Sequence, residues 1–71
     1  MDIHAALSAN IKRLRTRKGW SQEQLADEAG LHRTYVSGVE RGTRNPTVEI
    51  VGKIANALGV KPSELFREVA E

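Results

Sequence analysis

Cysteine is absent from the 71 residues, which excludes both a disulfide framework and a thiolate metal site. Aromatic residues are scarce, and the single tryptophan, Trp20, reads as cover for a helical corner rather than as a stacking platform. No apolar run approaches the roughly 20 residues that span a bilayer. The opening stretch, MDIHAALSAN, lacks the basic-then-apolar pattern of a signal peptide. These absences predict a soluble, cytoplasmic protein. His4 and His32 lie far apart with no matching ligand spacing, and no serine, histidine and acid occur in an activating context. Neither a metal, nor a cofactor, nor a catalytic function is therefore expected, and no small-molecule effector is evident. A chain of this length forms one domain, residues 1–71, and buries only about 60% of its unfolded surface.

Net charge is also small, at +2, and by itself predicts no polyanionic partner. Its distribution is more informative. Lys12, Arg13, Arg15, Arg17 and Lys18 fall within seven residues, Arg33, Arg41 and Arg44 cluster further on, and the acids lie mainly in 23–28 and 64–71. Two readings stand: a basic face for phosphates, or an ordinary solvated helix face.

The pattern of apolar residues divides the chain into five helical segments and no strand, an all-α fold. Ile3, Leu7, Ile11 and Leu14 recur at steps of four, four and three, the spacing of an amphipathic helix that ends near Lys18-Gly19. Ser21 and Gln24 form a capping box in which each side chain is expected to reach the other's backbone. A second helix then spans about 22–29. Gly30 supplies the turn, a third helix spans about 33–41, and Gly42 stops it. Thr47 caps a fourth helix with a buried stripe of Val48, Val51, Ile54, Ala55 and Leu58, closed by Gly59. Pro62 or Ser63 begins a short fifth helix carrying Leu65, Phe66 and Val69.

Residues 22–41 obey the spacing of two helices crossing at close range around a tight turn. Leu25, Ala26 and Ala29 form the inner side of the first helix, Leu31 plugs the corner, and Val36 with Val39 faces inward from the second. At about 100° per residue, Thr34, Ser37, Gly38 and Arg41 fall on the opposite side, with Arg33 at the exposed N-terminal end. A short helix presented in this way enters the major groove of DNA. Arg33 suits bidentate contact with guanine, and Thr34 and Ser37 suit either base type or a thymine methyl. Gly38 costs roughly 1 kcal/mol against alanine; either it lets the helix approach the bases closely, or an exposed glycine is merely tolerated. Tyr35 on the flank either reaches a phosphate or covers the edge of the core. Gln22, at a helix N-terminus, and Arg41, Arg44 and Asn45 are the remaining phosphate candidates. Glu40 points inward, which is unusual for a carboxylate, and Arg15 is its expected partner; such a pair would set the angle between the first and third helices.

Several of these residues carry a resemblance. Arg15, Ser21-x-x-Gln24-Leu25-Ala26, Ala29-Gly30, Val36-Ser37, Val39-Glu40-Arg41-Gly42, Asn45-Pro46 and Ile54-Ala55-x-Ala57-Leu58-Gly59-Val60 resemble the lambda-repressor-like helix-turn-helix domains of phage repressors and xenobiotic-response-type regulators. That resemblance implies a five-helix globule, with the motif at helices 2 and 3, binding double-stranded operator DNA as a homodimer. The run LHRTYVSGVERGTRN is most similar to the controller proteins of restriction–modification systems, small regulators with no further domain. Gly52 departs from the large apolar residue common in the family. Ile50 and Val69, outside the main stripes, are the candidate dimer contacts. The competing reading is an antitoxin-like module whose main target is another protein, marked by a large exposed apolar patch or a disordered tail.

Overall fold

Helix starts and stops in this chain are written by local hydrogen bonds. The computed structural model describes residues 2–68. Asp2 Oδ1 accepts from the backbone N–H groups of His4 and Ala5 at 3.0 and 3.3 Å, which caps α1, Ile3–Arg17. Ser21 Oγ accepts from Gln24 N at 3.0 Å and opens α2, Gln22–Ala29. The other half of the expected capping box is missing. The Gln24 side chain donates instead to Glu28 Oε2, one turn on, because an i,i+4 carboxylate competes for the same amide. α3 spans Arg33–Arg41, and α4 spans Val48–Leu58 behind a Thr47 cap.

The turn between α2 and α3 depends on Gly30, whose φ of 70° is strained for any residue with a Cβ. Its left-handed conformation lets Leu31 N donate back to Ala26 O at 2.8 Å, so the chain reverses within three residues and still satisfies a helix-end carbonyl. α2 and α3 pack against each other, with α1 against α3 and α4 against α2. Ile11, Leu25, Val36, Ile54 and Leu65 are completely enclosed where these helices meet.

The fifth segment is a 3₁₀ helix, Pro62–Phe66, rather than an α-helix. Asn10 on α1 meets the end of this segment. Its Nδ2 donates to Leu65 O at 3.0 Å and to Arg67 O at 2.7 Å, and Arg67 is already extended. An asparagine thus takes the carbonyls that a longer helix would use. Asn10 is wholly buried, and its Oδ1 accepts from Arg13 Nη2 at 3.1 Å. Val69 lies outside the described residues.

Among the described residues, two members of the predicted apolar stripes are exposed. Ile3 is 51% exposed and Val48 is 90% exposed. Both sit in the first turn of a helix, where the correct rotational phase remains but no neighbouring element lies opposite. They border an apolar groove of about 400 Å³, shared with Leu7, Val51, Pro62 and Phe66.

Candidate nucleic-acid interface

The outward side of α3 is held by an unusually polar support. Arg15 reaches across from α1 and grips Glu40 with two bonds, Nε to Oε2 at 2.7 Å and Nη2 to Oε1 at 3.1 Å. Its remaining nitrogen, Nη1, donates to Trp20 O at 2.7 Å. Gln22 Nε2 adds a further bond to Glu40 Oε1 at 3.1 Å. The carboxylate is almost fully enclosed, with 3% of the side chain exposed, against 13% for Arg15. One glutamate therefore joins α1, the start of α2 and the end of α3. The planar fork of the guanidinium tolerates little rotation. Ser8 Oγ, donating to Val39 O at 2.7 Å, adds a second tie between α1 and α3.

On the other side of α3, Arg33, Thr34 and Arg41 are exposed and Ser37 is half-buried. Arg44 and Asn45 are exposed in the loop that follows. These six form a continuous polar margin along one helix and its exit loop. Gln22 stands apart from them, because its side chain is turned inward to Glu40; only the α2 N-terminus that it occupies remains available to an anion. Tyr35 is half-buried and packs on the core, with the Arg44 guanidinium carbon 5.6 Å from its ring centroid.

Gly38 departs from its expected place on the outer face. It is buried, and its carbonyl accepts from Thr43 N at 2.9 Å, Arg44 N at 3.2 Å and Thr43 Oγ1 at 3.2 Å. The loop after α3 folds back over it and covers it. A helical projection cannot anticipate this, since the covering residues come from outside the helix.

Asn10, Ser8 and Thr43 were not identifiable as functional supports from residue type alone. Asn10 did carry a signal: it sits three residues after Leu7 and four before Leu14, on the inward side of α1. Among the described residues no group of three or more histidine, cysteine or acidic side chains is placed to hold a metal. No helix among them is long and apolar enough to cross a membrane.

Residues 11–65 match the family model described as helix-turn-helix. The chain belongs to the helix-turn-helix family. Within it, a hypothetical transcription factor of Neisseria meningitidis serogroup B is 48% identical over 65 residues, covering 92% of this chain and 61% of that protein. The crystal structure of a hypothetical transcription factor, NHTF, from Neisseria is 47% identical and superposes with a TM-score of 0.90, over 93% of this chain and 76% of that one. Control protein C.BamHI of Bacillus amyloliquefaciens is 45% identical, covering 92% of this chain and 82% of its own length. The restriction–modification controller C.Esp1396I, solved as a tetramer with its natural 35 base-pair operator, is 38% identical with a TM-score of 0.84, covering 93% of this chain and 87% of that chain. The present helix-turn-helix chain thus shares its architecture and much of its sequence with proteins of that group.

Proposed function

We propose that this chain is a sequence-specific transcription regulator that reads operator DNA with α3 as a homodimer, in the manner of a restriction–modification controller. The observation that carries this reading is the polar margin of Arg33, Thr34 and Ser37, flanked by Arg41, Arg44 and Asn45, on a helix whose inner side is fixed to two others through Glu40. Arg33, Thr34 and Ser37 are assigned to base edges. Arg41, Arg44, Asn45, the α2 N-terminus at Gln22, and the Tyr35 hydroxyl are assigned to the DNA backbone. The cytoplasm is the corresponding site of action, and no catalytic step is assigned.

One such helix reads too few base pairs for useful specificity, whereas a two-fold dimer reads two half-sites about 34 Å apart on a palindromic operator. The groove bordered by Ile3 and Val48 is the surface for the second copy. Val48 is nearly as exposed as a free side chain, and a Cβ at Gly52 would meet nothing within 4 Å, leaving room for an apolar side chain of the partner. Ile50 is half-buried and packs on the core, so it contributes less to that surface than Val48.

Selection of binding sites from random duplex DNA tests the proposal. A two-fold symmetric consensus is expected, with log affinity falling linearly with log salt. Arg33→Ala is expected to cost about 1–3 kcal/mol and relax preference at one position per half-site. Arg44→Ala is expected to weaken all sequences alike. Unchanged base preference in Arg33→Ala would overturn the assignment of the reading face.

A further inference from the structure

Gly38 and Arg44 form a unit that nothing in the reading of α3 as a list of DNA contacts requires. The stem of Arg44 lies across α3 in the space that a side chain at position 38 would fill. A Cβ built on Gly38 would stand 2.6 Å from Arg44 Cγ, and 3.4 Å from both Arg44 Cβ and Thr43 Oγ1. The first separation is far inside van der Waals contact, and it involves the root of the side chain, not its free end. The Arg44 guanidinium comes to rest 5.6 Å from the ring centroid of Tyr35, three residues before Gly38 on α3. That distance is within the range of a cation–π contact. The backbone of the loop is tied to the same residue, since Thr43 N, Arg44 N and Thr43 Oγ1 all donate to Gly38 O.

We propose that Gly38 is a positioning residue: by lacking a side chain it lets Arg44 lie flat on α3 and stack on Tyr35, which fixes a guanidinium beside the reading face before DNA arrives. The proposal rests on the reading of α3 as the DNA-facing helix. A free arginine retains many rotamers and loses them on binding a phosphate. An arginine already laid along the helix loses fewer, so the glycine raises affinity without touching the nucleic acid. It also explains why a residue that is a poor helix former stands in the middle of a nine-residue helix.

The decisive experiment is a double-mutant cycle on the full chain. Gly38→Ala is expected to lower affinity for all duplex sequences alike at a nearly unchanged salt slope, because the Arg44 charge is kept and only its preorganisation is lost. Arg44→Ala is expected to lower affinity for all sequences and also to reduce the magnitude of the salt slope by about 0.9, the signature of one lost phosphate contact. In the Arg44→Ala background, where the obstructing Cγ is gone, Gly38→Ala is expected to change affinity by less than about twofold and to raise the melting temperature, because alanine favours helix. Losses that multiply in the double variant would overturn the proposal. A second readout needs no DNA. The Arg44 side-chain protons should show an upfield ring-current shift in the NMR spectrum, lost in both Gly38→Ala and Tyr35→Leu. Its persistence in folded Gly38→Ala would also overturn the proposal. If the wild-type protein selects no DNA sequence at all, the regulator reading fails and the role of Gly38 in affinity fails with it, while the spectrum still decides whether Gly38 places Arg44.

Discussion

Replacing Glu40 with alanine should be the most damaging polar substitution in this protein. The change removes the acceptor of three hydrogen bonds, two from Arg15 and one from Gln22. It leaves an Arg15 side chain that is only 13% exposed without its counter-charge. Breaking a buried pair from one side costs about 3–5 kcal/mol. The lower end applies here, because Arg15 keeps its bond to Trp20 O and water can reach its edge. Against a total stability on the order of 4–11 kcal/mol for 71 residues, a loss of about 3 kcal/mol is severe. It corresponds to a fall in melting temperature of roughly 12–24 °C. Thermal unfolding followed by far-UV circular dichroism, with urea unfolding as a check on an unchanged m-value, measures it. The paired replacement Arg15→Met with Glu40→Leu should recover most of the loss, since an apolar pair of similar volume carries no desolvation cost. A Glu40→Ala protein melting within about 3 °C of wild type, inside what one surface substitution can do, would refute the reasoning. So would a double variant no more stable than Glu40→Ala.

Asn10→Ala should cost about 1–3 kcal/mol by leaving enclosed carbonyls unpaired. Faster amide exchange concentrated at 62–68 would identify the last turn as the part released. Leu25→Ala, at a completely enclosed position between α2 and its neighbours, should cost about 2–5 kcal/mol in urea unfolding. Ser21→Ala and Thr47→Ala should each cost about 1 kcal/mol, the value of one N-cap bond, and should add in the double variant because the caps share no partner. Val48→Lys should leave the circular dichroism spectrum unchanged and shift sedimentation from dimer to monomer; a dimer of undiminished strength would place the second copy on another face.

Much of this molecule is local, and local features are legible in a sequence. The bounds of α2 and α3 coincide with the spans read from Ser21, Gly30 and Gly42, because caps and turn glycines act over three or four residues whatever surrounds them. The enclosed residues Ile11, Leu25, Val36, Val39, Ile54 and Leu58 follow from the 3.6-residue period for the same reason. Arg15 and Glu40 are matched in the sequence because an inward carboxylate calls for a counter-charge. Only the tertiary structure decided the rest. Periodicity gives the direction of a side chain but not whether anything stands opposite, so Ile3 and Val48 were placed in a core that stops short of them. Residue type marks asparagine as polar, yet the packing of α1 against the last turn buries Asn10 and gives its amide the carbonyls of Leu65 and Arg67. A projection of α3 put Gly38 outside, where the returning loop in fact covers it. In each case the deciding neighbour is distant in the sequence or lies beyond the element that contains the residue. Hydrogen-bonding reach therefore settles the helices, and the path of the chain between them settles which of their faces meet solvent.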